Sequence, residues 1–209
     1  MLRVVKLGGS LLDMPDLAAR LRAWLAAQTS GRAILVIGGG AHVDAIRRAQ
    51  GIHHFSDSAA HWLAIRAMAL QAEMMRSILP EAEFLVDVSM PQPRGPAAGT
   101  QLGILEPWRF MREVDAHRKA PLPESWDVTS DSIAARVAEL SAADELILLK
   151  SALAPSASLE DLAAAGYVDR FFPQAAKKLQ VVRLVDLRAN PARECVFRLA
   201  ESGSRSPVR

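Results

Sequence analysis

Half of the 209 residues are hydrophobic and 23% are charged, so the chain can bury a sizeable core and general disorder is excluded. Lysine and arginine number 25 against 23 aspartates and glutamates, and this net charge of +2 gives no argument for a nucleic-acid partner. The one cysteine, Cys195, excludes an intrachain disulfide and makes a cysteine zinc site implausible; it reads as a small buried residue near a C-terminal strand.

In chain order, residues 2–7 read as a fully buried strand. Leu17, Leu21, Trp24 and Leu25 recur at helical spacing, which predicts a helix over 15–28 with Pro15 near its start. A second apolar strand covers 33–37, and a helix over 41–50 follows three glycines. The longest helix is expected over 56–79, with Ser56 or Asp57 near its N-cap, and a third strand over 83–88. Residues 91–100, "PQPRGPAAGT", cannot form regular structure. A short strand over 102–105 precedes "EPWRFMREVD", to which no element is assigned. Then come a helix over 130–140, a buried strand over 145–149, short helices over 159–165 and 172–179, and strands over 180–185 and 194–199. The polar tail 201–209 reads as frayed.

Strands alternating with helices predict an α/β fold with a mostly parallel sheet, in which ligands bind at the carboxyl ends of the strands. The whole chain, 1–209, reads as one domain. No apolar run is long enough to span a membrane, and no basic stretch followed by an apolar run opens the chain, so the expected location is cytoplasmic.

Two glycine turns fall at strand ends: "VVKLGGSLL" from Val4 and "ILVIGGGAHVD" from Ile34. Glycine lets backbone approach a phosphate closely, and a following helix N-terminus adds partial positive charge. One such turn is more often a tight connection without a ligand. Two of them, with Lys6 in the strand entering the first, favour phosphate binding; neither matches the P-loop or dinucleotide fingerprint. Lysine is costly to bury in a strand, so Lys6 near a strand end reads as reaching toward phosphate oxygens, with an edge-strand lysine as the rival reading.

In "SWDVTSDSIAARVAE", Thr129, Ser130 and Asp131 can cap a helix; equally, Asp131 can orient lysines by ion pairing. "ELILLKSALAP" puts Lys150 and Ser151 at a strand end, and "AAGYVDRFF" holds Asp169 and Arg170 after a glycine, where a salt-bridged surface turn is the plain reading. His42 or Arg47, after the triple glycine, can face an anionic acceptor. A metal site at His53, His54 and His61 is less expected than a structural role, because adjacent histidines point apart. Met68, Met74 and Met75 read as core.

Together "VVKLGGSLL", "ILVIGGGAHVD", "TSDSIAARVA", "LILLKS" and "GYVDRFF", in this order, resemble the amino acid kinase superfamily. Within it, "DSAAHWLAIRAMALQAEMM" and "LPESWDVTSDSIAA" look most like the small kinases of methanofuran biosynthesis, which phosphorylate (5-(aminomethyl)furan-3-yl)methyl phosphate to its diphosphate. The resemblance implies a three-layer αβα sandwich of the amino acid kinase fold, with acceptor binding mainly in 1–125 and nucleotide binding mainly in 126–209. It implies ATP and Mg2+ as requirements, a small phosphorylated partner and a homo-oligomer.

Carried over residue by residue, Lys6 would stabilise the transferring phosphoryl group, Asp131 would organise the catalytic lysine, and Arg170 would stand where several relatives carry a second one. Gly8, Gly9, Ser10, Lys150, Ser151 and Asp169 would serve the nucleotide, and Gly38, Gly39, Gly40, His42, Arg47 and Thr129 the acceptor. No residue is assigned to a metal. Two departures stand out: Lys150 lies where many relatives have a Thr-Asp or Thr-Lys pair, and arginine at 170 keeps the charge of lysine but not its geometry. An acceptor with a carboxylate or carbamate, and a binding module that has lost catalysis, are the rival functions.

Overall fold

The computed structural model describes residues 1–89, 100–153 and 158–199. The expected polar tail and, apart from Thr100, the Pro/Gly-rich stretch lie outside the described residues. Seven strands form one sheet in the order β3-β4-β2-β1-β5-β6-β7, all parallel except β7, which runs antiparallel to β6. The central strand β1 (Leu2–Leu7) lies between β2 (Gly31–Ile37) and β5 (Glu145–Lys150), and all six of its residues are buried. A strand covered on both faces needs a near-continuous apolar run, and "LRVVKL" interrupts it only at Arg3 and Lys6.

The period of two sends alternate residues to opposite faces. Val4 packs with Ile34, Val36, Leu146 and Leu148 against Ile133 and Val137 of α5 (Ser130–Leu140) and Ile65 of α3 (Asp57–Ile78). Val5 and Leu7 pack with Leu35, Ile37, Ile147 and Leu149 against α1 (Leu17–Ala26) and the later residues Ala72 and Met75 of α3. Each such buried Val, Leu or Ile contributes roughly 1.5–3 kcal/mol. Lys6 shares the face of Val4, and Lys150 that of Leu146 and Leu148, so both lysines meet the α5 layer at the carboxyl ends of adjacent strands. From β1 the chain passes to β2 on one side and returns at β5 on the other, so these ends flank the point where the strand order reverses, where ligands bind in such sheets.

Most elements fall where the sequence places them, with differences at the ends. α1 is shorter than expected at both ends, and the Asp16 carboxylate beside its first turn accepts from Arg20 Nε at 2.6 Å. α2 (Gly40–His53) runs past Gln50 and stops at His54, which takes the left-handed conformation. Ser56 caps α3, accepting from the Ala59 N–H at 3.2 Å. β3 (Glu83–Leu85) ends early because the chain turns at Asp87, whose carboxylate accepts from the Ser89 N–H. β4 (Thr100–Leu105) starts two residues before its expected position.

"EPWRFMREVD" forms α4 (Pro107–Arg109) and a π-helical continuation (Phe110–Asp115) that buries Phe110 and Met111. Glu106 starts it by accepting from the N–H groups of Trp108 and Arg109. After α6 (Leu159–Ala164), the expected helix over 172–179 is α7 (Phe172–Ala175) followed by a 3-10 turn (Ala176–Lys178). β6 (Val181–Asp186) and β7 (Arg193–Arg198) close the sheet, with Cys195 half-buried opposite Leu184. Met68 and Met75 are core, whereas Met74 is 43% exposed. No helix among the described residues is long and apolar enough to cross a membrane.

Candidate functional site

Asp131, the second residue of α5, bridges the two strand-end lysines. Its Oδ1 lies 2.9 Å from Lys6 Nζ and its Oδ2 lies 3.0 Å from Lys150 Nζ. Lys150 also donates to the Tyr167 carbonyl at 2.8 Å. Lys6 and Asp131 are 5% and 4% exposed, so this is an interior cluster, where an unpaired charge would be costly. Burial pushes the Asp131 carboxyl up, but the charges of Lys150 and Lys6 and their hydrogen bonds outweigh it and hold it at about 2. Burial pushes Lys150 down; Asp131 opposes that, the like charge of Lys6 adds to it, and the group settles at about 8. Two ammonium groups share one carboxylate, so the three together carry one positive charge, next to the positive end of the α5 dipole.

The two readings of "TSD" separate here. Asp131 is an ion-pair residue, and Thr129 makes no side-chain cap. The cap comes from Asp169, whose Oδ2 accepts from Thr129 N, Thr129 Oγ1 and Ser132 N, each at 2.9 Å. Asp169 is thus an interior cap of α5 and not half of a surface ion pair, and burial together with the nearby Asp131 charge raises its pKa. With Asp169 turned inward, Arg170 turns out: its side chain is 84% exposed and its guanidinium lies 3.7 Å from Asp127. Arg170 lines the open cleft and not the ion-pair cluster, where the second lysine on Asp131 is Lys150.

The glycine turns pack backbone on backbone. A Cβ on Gly9 would sit 2.3 Å from Gly40 N, and one on Gly39 would sit 2.1 Å from Val43 Cγ2, while Gly40 itself has φ +54°. Close approach alone therefore demands glycine at these positions. The N–H groups of Gly8 and Gly38 donate to Leu149 O and Leu7 O, each at 2.9 Å, extending the sheet ladder, so they are not available to a phosphate. Those of Gly9, Gly39 and Gly40 have no protein acceptor among the described residues; Gly39 and Gly40 stand at the start of α2, and Gly9 opens the 3-10 turn Gly9–Leu11. Ser10 and Ser151 meet through their hydroxyls at 3.2 Å, which ties the first turn to the end of β5.

Two cavities adjoin. One, of about 230 Å³, lies between the glycine turns and α2, α3 and α5, with an apolar side at Ile65, Met68 and Ile133. The other is a more open cleft of about 610 Å³ beside Asp131, Lys150, Tyr167 and Arg170. Arg47, Trp126 and Thr129 border both. The Arg47 guanidinium lies 4.5 Å from the Trp126 ring centroid, and the indole N–H donates to Gln50 Oε1 at 2.6 Å. His42 is not part of either lining; its Nδ1 lies 2.5 Å from Gln71 Nε2.

Sequence reasoning did not assign Trp126, Asp44, His61 or Met68 to the site, yet all four line the first cavity. The aromatic residue three before Thr129 was a usable signal for Trp126. The other three come from helix faces whose orientation only packing decides. His53 and His54 are exposed at the end of α2, apart from the buried His61.

The family model "Amino acid kinase family" matches residues 1–92. No curated protein sequence matches the chain. Among solved structures, uridylate kinase from Archaeoglobus fulgidus is similar with a TM-score of 0.57 at 17% identity, over 96% of this chain and 91% of that one. UMP kinase from Ureaplasma parvum gives 0.59 at 12% identity, over 92% of each chain. Aspartate kinase from Synechocystis gives 0.61 at 14% identity, over 99% of this chain and 41% of that one. At such identities the likeness is one of fold, and the fold is that of the amino acid kinases.

Proposed function

We propose that this chain, with the amino acid kinase fold, is an ATP-dependent phosphotransferase acting on a small phosphate monoester. The observation that carries the reading is the buried Asp131 bridge between Lys6 and Lys150, beside two adjoining cavities. Phosphoryl transfer depends on positioning and on neutralising charge spread over the transferring group. In this reading Lys6 meets the transferring phosphoryl group, and Asp131 fixes the ammonium in place. Lys150 and the cleft beside Tyr167 take the nucleotide phosphates, while the free N–H groups of Gly9, Gly39 and Gly40 take acceptor phosphate oxygens. Magnesium is carried by the nucleotide's own phosphates, with no protein ligand assigned. A phosphate acceptor is already ionised at neutral pH, so the reaction needs no general base.

The acceptor that best suits the smaller cavity has a flat apolar body, an anionic end and a small basic substituent. Ile65, Met68, Ile133 and Trp126 offer apolar contact, Arg47 offers a cation and Asp44 a carboxylate. The first candidate is (5-(aminomethyl)furan-3-yl)methyl phosphate, converted to its diphosphate. Arg47 would also suit a carboxylate or carbamate acceptor, which keeps that reading second. We place the protein in the cytoplasm, as a homo-oligomer whose state light scattering would measure.

A coupled ADP-release assay over a panel of phosphate, carboxylate and carbamate acceptors tests this. Turnover with a phosphate monoester, lost in Lys6→Ala and Asp131→Ala proteins that remain folded, is expected. Nucleotide binding by calorimetry without turnover on any acceptor would leave a binding module instead.

A further inference from the structure

One side of α3 packs into the core through Ile65, Met68, Ala72 and Met75. On the opposite side stand Leu63, Leu70, Met74 and Ile78, each 43% exposed or more. Steps of seven, four and four residues hold them in one stripe, about 22 Å long at 1.5 Å per residue. A single exposed leucine is ordinary, but a contiguous apolar stripe marks a contact surface.

α2 lies beside this stripe and is itself uncovered. Hydrogen bonds from His42 to Gln71 and from Gln50 to Asp57 show it running back along α3. None of its residues is buried, and Ala41, Ala45 and Ile52, spaced by four and seven, are exposed on one side of it. Helices owe most of their stability in proteins to packing, so a helix that buries nothing in its own chain is weakly held. Yet α2 carries Asp44 and Arg47 of the cavity wall and begins at Gly40.

The charges beside the stripe say what covers it. Arg66 and Glu73 are exposed on the same flank of α3. Arg66 lies four residues, about 6 Å, before Leu70, and Glu73 three residues, about 4.5 Å, after it. A two-fold axis at Leu70 with two α3 helices antiparallel reverses these heights and keeps the flank. It sets Arg66 of each copy beside Glu73 of the partner subunit, Leu63 beside Ile78, and Leu70 beside its own equivalent. A parallel pair would instead oppose arginine to arginine and glutamate to glutamate. The border suits a protein contact too. Arg66 lies 4.0 Å from the Trp108 ring centroid and Arg112 lies 5.1 Å from that of Trp62, while α2 and α3 contain no lysine.

We propose that a second copy of this chain docks on this face, α3 against α3 about a two-fold axis at Leu70, and that the contact secures α2 and so completes the acceptor cavity. The docking deepens the homo-oligomer reading by naming its surface; only its effect on the acceptor rests on the kinase reading. The same two-fold brings Met74 and Ile78 of the partner subunit level with residues 66 and 62, where α2 runs alongside. Such an interface is isologous and closes at two copies.

The test weighs the full chain by analytical ultracentrifugation. Wild type should be a dimer, and Leu70→Arg, which sets two like charges at the axis, a monomer with an unchanged circular dichroism spectrum. Arg66→Glu should raise the dimer Kd at least about 10-fold, and adding Glu73→Arg should restore it, since the pair is then only reversed. In Leu70→Arg the α2 amides should exchange with deuterium at least about 10-fold faster, and the acceptor KM should rise at least about 10-fold.

A monomeric wild type would leave the face to another protein and overturn the proposal. A dimer that survives Leu70→Arg, or a double variant no better than Arg66→Glu, would overturn it as well. Unchanged α2 exchange in monomeric Leu70→Arg would overturn the link to the cavity. A dimer and α2 response that follow Leu70, without turnover on any acceptor, would sink the kinase and keep this proposal. Turnover by a chain whose mass ignores Leu70→Arg would do the reverse.

Discussion

Replacing Asp131 by asparagine keeps the shape of the cluster and removes its one negative charge. Lys6 and Lys150 lie 2.9 and 3.0 Å from the carboxylate, so at an effective dielectric of about 20 each attraction is about 5–6 kcal/mol before desolvation is subtracted. Breaking a buried pair so that a charge is left without its partner costs about 3–5 kcal/mol net. Two ammonium groups lose their partner here, but Lys150 limits the cost. Already lowered from 10.5 to about 8, it loses the interaction that held it up and releases its proton near neutral pH. The expected loss is therefore about 3–5 kcal/mol at pH ~7, a fall in Tm of roughly 6–20 °C for a chain of this length.

The pH dependence has a definite sign. A lysine whose folded pKa lies below its unfolded value makes the unfolded chain bind more protons between the two, so stability rises with pH across that window. For wild type the window opens at about 8. For Asp131→Asn it opens lower, so the gap in Tm should narrow as pH rises toward about 8. Scanning calorimetry of both proteins across this range measures it. A gap below about 1 kcal/mol that does not change with pH would refute the reasoning.

The Asp131 carboxyl, held at about 2 against a usual 3.8, contributes about 2 kcal/mol above its unfolded pKa. This is lost as pH falls from about 4 toward 2, and acid unfolding followed by circular dichroism should show a loss in wild type that Asp131→Asn lacks. Gly9→Ala must separate two backbones that would stand 2.3 Å from the new Cβ, and should lower stability by at least about 2 kcal/mol in urea unfolding. Gly51→Ala, inside α2 with nothing within 4 Å of the new Cβ, should raise stability by about 0.5–1 kcal/mol. Asp169→Ala removes the cap of α5 and should cost about 1–2 kcal/mol; an unchanged urea midpoint would show that the cap carries no stability.

The buried strands were readable because burial on both faces requires an apolar run, and the Ser56 cap because it lies beside the helix it serves. What escaped the sequence depends on distance along the chain. Asp169 caps a helix whose first residue lies 39 positions earlier, and no local pattern reveals that. Arg170, beside it in the same turn, is exposed at the open cleft, and it is Lys150 that pairs with Asp131. The helix at "EPWRFMREVD" had a local signal, a carboxylate before proline, but glutamate is not among the preferred caps. For the glycines, phosphate binding was favoured over tight connections without a ligand, but at Gly9 contact between the two turns requires glycine whatever else binds there. His61 and Trp126 joined the site through helix and loop orientations set by packing.

The most direct test of the central claim, that Lys6, Asp131 and Lys150 form a phosphoryl-transfer centre, is 31P NMR of the chain with ATP, magnesium and a small phosphate monoester, for wild type and Lys6→Met. The account predicts diphosphate signals from wild type and a rate lower by about 100- to 1,000-fold in Lys6→Met, with nucleotide binding retained. Diphosphate formed at the wild-type rate by a folded Lys6→Met protein would contradict it.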